Sequence, residues 1–442
     1  MNIKKFLLIL LSVFALVNMF TGWISLIVFV FILLGIQFCC LNKYESSFLI
    51  LLFANVFGVF FFIYGVRGIG SILFLTALLI FLKEEKSILK RIASYSAPLV
   101  LILCYLGLSA LFTTGGNYAG EKFFRTCTSA MFTVVPFALF FYKIEKFNLS
   151  KLALMVCAYG FFTFSVGVEY LGLPRISNIF DLGYFRIQMA FAQNSGAEVG
   201  FNYQNIGFYG CFALSLMGFF KNPTVRTDRI IKTSIYLLSS LVVLYSGSRQ
   251  SIFAWLILIA IIATKGKVFS LRIIIACSIL FVILQWFQSL DLWLFTDLQN
   301  ANNILEGSQR DKLIEAGMSQ FYSSPIWGVG YGRFRWEYGY GAYPHNFMVE
   351  LLSECGIVGT TIILIIPIYF FFHNILKVHI GKENMVGVLC IIIPYIIRAL
   401  VSADMSSNIE FFAILFMVPF LKHSKEMGCK YLSNGTYRLH LS

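Results

Sequence analysis

Three side chains in this sequence are of the types that anion binding and proton transfer need: Arg249 in Ser246-Gly-Ser-Arg-Gln-Ser251, Arg310 in Ser308-Gln-Arg-Asp-Lys312, and His345 in Tyr343-Pro-His-Asn346. A fixed guanidinium holds an anion, phosphate above all, through parallel N–H donors. A neutral imidazole accepts a hydroxyl proton. Together they suit transfer of a group from a phosphorylated donor to a hydroxyl, the cations bearing the charge that the leaving phosphate gains. Each also has an ordinary reading. Arg249 reads equally as an arginine snorkelling to lipid headgroups, Arg310 as an exposed residue paired with Asp311 or Glu315, and His345 as a structural histidine.

Other residues extend this set. Arg186 and Asn205 lie in a segment, 169–205, whose aromatic, amide and arginine residues suit a carbohydrate surface and equally a membrane-interface belt. Asn346 adjoins His345, and Arg398 sits near Asp404 at the end of an apolar run, where the two read either as a functional pair or as a plain ion pair. Glu350 and Glu354, four residues apart, read as carboxylates that orient neighbours or bind a nearby arginine. One histidine and scattered carboxylates give no metal-ligand spacing. Gly328-Val-Gly-Tyr-Gly332 lacks both phosphate-binding fingerprints, GxGxxG and GK[ST]. No metal or cofactor is expected.

The elements that must position these groups are membrane helices. Of 442 residues, 59 % are hydrophobic and 12 % charged. Apolar runs near 20 residues recur without strand-like alternation, which gives an all-α, polytopic helical membrane protein. Spans at 5–20, 24–41, 47–64, 71–82, 95–112, 127–142, 152–168, 204–220, 233–247, 250–264, 273–289, 356–372, 386–402 and 409–421 make about 14 helices. Basic residues such as Lys83, Lys86, Lys143, Lys146, Arg226, Lys265 and Lys377 fall in alternate loops together with Lys4 and Lys5. Roughly 23 lie on that side against about 11 on the other, which makes it the cytoplasmic side. The formal charge of +13 therefore reports topology and not a nucleic-acid partner. The ten cysteines fall mostly within spans without metal or redox spacing and read as core residues. Met1–Phe20 reads as an uncleaved first helix.

The chain divides into an N-terminal membrane part, 1–199, a region holding the candidate catalytic residues, 200–372, and a C-terminal part with a basic tail, 373–442. Within the middle region the loop 288–355 is too long for a passive connection and is expected to fold as an outer cap. Ser308 and Asp311 mark a helix start that places Arg310 in a first turn, where the helix dipole disfavours a cation unless an anion is shared. Ser324-Pro325 ends that helix, and a second is expected to start at Pro344, lowering the pKa of His345 through its positive end. Thr113–Arg125 reads as a solvated, glycine-rich turn.

Ser246-Gly-Ser-Arg-Gln, Arg310, Pro325-Ile-Trp-Gly-Val-Gly-Tyr-Gly332, His345-Asn346 and Glu354-Cys-Gly-Ile-Val-Gly359, in that order, resemble the O-antigen ligase and polymerase superfamily over roughly residues 200–372. The resemblance implies an inverting, metal-independent membrane glycosyltransferase of the GT-C type in the bacterial inner membrane, its active site facing the periplasm. The implied donor is an undecaprenyl-diphosphate-linked oligosaccharide. Arg249 and Arg310 would hold its diphosphate and His345 would activate the acceptor hydroxyl. A single histidine in Tyr343-Pro-His-Asn346, where ligases carry His-x-His-Asn, and the aromatic 169–205 segment favour an O-antigen or capsule repeat-unit polymerase in lipopolysaccharide biosynthesis. Its acceptor would be a second lipid-linked unit, with a chain-length regulator as a further partner beside the membrane lipids. The alternatives are an O-antigen ligase acting on lipid A-core and a polysaccharide transporter, which would concentrate its charges near mid-membrane instead.

Overall fold

A computed structural model describes residues 3–65, 69–84, 86–113, 116–173, 175, 203–220, 226–263, 306–338, 343–344, 346–370, 373, 382–401 and 404–421. These form the helices Ile3–Thr21 (α1), Leu26–Cys40 (α2), Lys43–Leu52 (α3), Ala54–Ile63 (α4), Ile69–Glu84 (α5), Lys86–Phe112 (α6), Gly116–Lys143 (α7), Leu149–Tyr170 (α8), Tyr203–Ser215 (α9), Arg226–Ser246 (α10), Arg249–Ala263 (α11), Glu306–Ser323 (α12), Arg333–Tyr338 (α13), Phe347–Phe370 (α14), Lys382–Val401 (α15) and Met405–Met417 (α16). No strand occurs among the described residues. Among the described residues each expected span overlaps helix, although 47–64 is the bent pair α3–α4 and 204–220 ends in a 3-10 turn at Leu216–Phe219; 273–289 lies outside the described residues.

Six of these helices are long and apolar enough to cross a membrane, or seven spans if the bent pair α3–α4 is one. α8 is the axis of the bundle. It is apolar on every side, and Leu152 to Val168 are buried against α1, α4, α9 and α10, as an all-round apolar helix requires. Gly160 lets Val242 of α10 approach its backbone. α6, by contrast, turns Leu101, Leu108, Leu111 and Phe112 outward, the surface expected where lipid is the solvent.

Two interruptions matter for the site. The 61° bend between α3 and α4 occurs at Phe53, two residues before Asn55. α14 breaks at Gly356, whose φ of 62° and ψ of −171° no helix contains. The cap elements are seated beside this second break, α12 against α14 and α13 against α7.

Candidate active site

The turn around Arg249 is built by small residues. Gly247, at φ 65°, ends α10 in the left-handed conformation, and Ser248 begins α11 by accepting a hydrogen bond from the N–H of Ser251 at 3.4 Å. Arg249 is thus the first residue of α11. The unpaired N–H groups of a helix start favour an anion there, and a cation is comfortable only if it shares one. Gly207 of α9 presses against the Ser246 and Ser251 side chains, so the turn is pinned from below. Beside it Gln250 is buried, and neither of its amide atoms has a partner among the described residues.

The loop 325–332 inserts into the break of α14. The N–H groups of Val329 and Gly330 donate to the carbonyls of Ser353 and Glu354, each at 2.9 Å. In return, Ile357 and Val358 donate to the carbonyls of Pro325 and Ile326 at 2.8 and 3.1 Å. Gly356 frees these four groups from the helix ladder, and the loop satisfies them as buried backbone requires. Ser109 accepts from the N–H of Tyr331 at 3.0 Å, and Gly332 packs on Ala119, which ties the same loop to α6 and α7.

Beneath the loop lies a charged cluster. The Lys122 ammonium donates to Glu350 Oε1 and Glu354 Oε2, each at 2.6 Å, with all three side chains at most 3 % exposed. It also lies 4.5 Å from the ring centre of Tyr331, whose hydroxyl is 2.6 Å from that of Thr126. Burial pushes the Tyr331 hydroxyl well above the usual phenol range. Glu350 Oε2 accepts from the N–H of Met405 at 2.9 Å, joining α16 to the cluster, while Glu354 Oε1 has no partner among the described residues. Tyr343 and Pro344, immediately before His345, line the small cavity shared by Lys122, Glu350, Glu354, Asp404 and Arg335. Arg335 donates to the Tyr118 hydroxyl at 2.8 Å.

Asn205 and Arg398 line one cavity of about 110 Å³ with Asn55, Thr133, Tyr209 and Glu410. Arg398 is 5 % exposed, donates to Glu410 at 3.1 Å and to the Ser407 carbonyl at 2.7 Å, and lies over the Phe208 ring. Of the two readings of Arg398, the plain ion pair with Asp404 is not formed among the described residues, and Arg398 pairs with Glu410 instead. Asp404 instead starts α16, accepting from Ser407 N–H, because a carboxylate one residue before a helix is worth more as its cap.

The helix starts also differ from expectation. α14 begins at Phe347 and not at Pro344: Asn346 is the cap, its Oδ1 accepting from Met348 and Val349 at 2.9 and 3.2 Å. The helix expected from Pro344 thus starts three residues later in the sequence. The described part of α12 already includes Glu306 and Gly307, so Ser308 does not begin the helix and Arg310 lies beyond a first turn. The side chains of Arg249 and Arg310, and all of His345 and Arg186, lie outside the described residues.

Lys122 is the residue that sequence reasoning missed. Thr113–Arg125 is not a solvated turn, because α7 starts at Gly116 and buries Tyr118, Ala119, Lys122 and Thr126 along one face. That helical spacing continues down α7 to Ala130 and Thr133, a signal that was present in the sequence.

A bundle of apolar helices with a polar cap docked into a broken helix is a polytopic helical membrane protein. Residues 234–364, from α10 through the Arg249 turn and the cap to the middle of α14, match the model of the O-antigen ligase family, a match that supports the O-antigen ligase and polymerase superfamily over this stretch. No curated protein matches the chain.

Proposed function

We propose that the protein is an O-antigen or capsule repeat-unit polymerase, transferring glycan from undecaprenyl diphosphate to a sugar hydroxyl of another lipid-linked unit at the periplasmic face of the inner membrane. The observation that carries this reading is the family stretch 234–364, which encloses Arg249, Arg310 and His345. The turn that makes Arg249 the first residue of α11, and the capped start of α14 directly after His345, support it.

The chemistry is an inverting displacement. His345 takes the proton of the acceptor hydroxyl, whose oxygen attacks the anomeric carbon from the face opposite the diphosphate. The bond from that carbon to the diphosphate oxygen breaks with its electron pair, and Arg249 and Arg310 stabilise the charge that the diphosphate gains. Diphosphate leaves as an anion, so no separate acid is needed and the chain's own cations serve where other transferases use a metal. Asn346 orients the base as the cap of α14, while Asn205, Arg398 and Arg186 contribute to the sugar-binding surface, and a chain-length regulator is a further partner.

The second reading is an O-antigen ligase with the same donor and lipid A-core as acceptor, favoured by the description of the matching family. Deleting the gene separates the two. Core bearing a single repeat unit supports the polymerase; bare core with accumulated lipid-linked polymer supports the ligase. Units trapped on the cytoplasmic leaflet would mean a transporter and sink both.

A further inference from the structure

We propose that Lys122 is a positioning residue for the base: its ammonium, sealed beneath the 325–332 loop, fixes the start of α14 and hence the backbone that carries His345. The inference rests on the glycosyl-transfer reading above.

A lysine in the first turns of an apolar helix normally extends to water or headgroups. Lys122 turns inward, its side chain 3 % exposed. Two carboxylates and one ammonium buried together are no better for stability than apolar side chains of the same volume, so the cluster is better explained by the geometry that it imposes. That geometry joins four segments. Lys122 comes from α7, Glu350 and Glu354 lie one turn apart on α14, Tyr331 belongs to the docked loop, and Glu350 also holds the first N–H of α16. An ammonium has three donors and a full charge, which lets it serve both carboxylates and the ring face at once.

The link to the residues that flank His345 is short. Glu350 donates its N–H to the carbonyl of Asn346 at 3.0 Å, closing the first turn of α14, while Pro344 and Tyr343 line the cavity that holds the ammonium. Asn346, on one side of the base in sequence, is thereby tied to Lys122 through Glu350, and Tyr343 and Pro344, on the other, border the same cavity.

The test uses the full chain, purified from cells and reconstituted in vesicles with their own lipid-linked repeat units. K122M is expected to lower kcat about 100-fold, the cost of displacing a base by an ångström, with donor KM unchanged. It should also expose Cys355, which is 0 % exposed in the native protein, to a membrane-impermeant maleimide read by mass spectrometry. K122R, which keeps the charge but not the shape of the head group, is expected to lower kcat about tenfold with the same KM. Wild-type kinetics in K122M overturns the proposal. So does lost turnover with Cys355 still shielded, since the lysine would then act on substrate itself. Should K122M fail to accumulate, wild-type kinetics in K122R overturns it alone. H345A separates this inference from the reading beneath it. Undiminished activity in H345A removes both, whereas lost activity in H345A with wild-type turnover in K122M removes only the role of Lys122.

Discussion

Gly328 and Gly356 lie backbone against backbone, one in the 325–332 loop and the other at the break of α14, both at positive φ, 74° and 62°. A Cβ on Gly328 would strike the Glu354–Cys355 backbone, and one on Gly356 would strike Ile326 and Gly328. G356A and G328A are therefore expected to cost about 1–3 kcal/mol in backbone strain alone, with the clash adding to it. Both should abolish surface polysaccharide while inserting at normal levels. A normal ladder of chain lengths from G356A would show that the loop need not dock for activity.

Tyr331 offers a graded probe of the same docking. Y331F keeps the ring over Lys122 and loses only the contact with Thr126, an expected cost of about 1 kcal/mol, whereas Y331A empties a fully buried site at about 3–5 kcal/mol. The hydroxyl has its folded pKa raised above the unfolded value near 10. Its contribution to loop seating is fully present below the unfolded value and is lost as pH rises through the folded one. Labelling of Cys355 against pH should thus rise in the alkaline range in the wild type. Y331F should lack that part of the rise.

Arg398 and Glu410 are expected to be coupled. Removing the guanidinium leaves a part-buried carboxylate unpaired in the bundle, so R398A should destabilise by about 3 kcal/mol, while R398A/E410A should lose less than the sum of the single changes. Thermal unfolding of the purified protein in detergent measures the cycle. Strict additivity would mean that the pair is not an energetic unit.

Gly207 sets how closely α9 approaches the turn that begins α11. G207L should push the Ser246–Ser251 turn away and reduce donor affinity, seen as a rise in donor KM larger than any fall in kcat. An unchanged KM would separate the turn from donor binding.

The acid limb of the pH profile should report the base. With His345 accepting the acceptor proton, kcat falls as falling pH protonates the imidazole and is flat where the ring is neutral, the sign expected for a group that must be neutral to act. A profile flat down to pH 5 would assign the base elsewhere.

The sequence by itself determined the membrane class and where the apolar helices run, because the bilayer imposes apolar length residue by residue and composition records it locally. It also marked the family motifs around Arg249, Arg310, the glycine loop and His345, where small residues and charges interrupt apolar runs. Only the tertiary structure decided who partners whom. Lys122 meets Glu350 and Glu354 across 228 and 232 residues of chain, and a hydropathy reading discards a lysine at a helix start as solvated. Arg398 chose Glu410 over the nearer Asp404 because α16 turns the one toward it and spends the other on its own first turn. The break at Gly356 is legible only once the loop that fills it is in place, since a glycine in an apolar helix is otherwise merely tolerated. Local chemistry writes helices into sequence; pairings between distant segments leave no local trace.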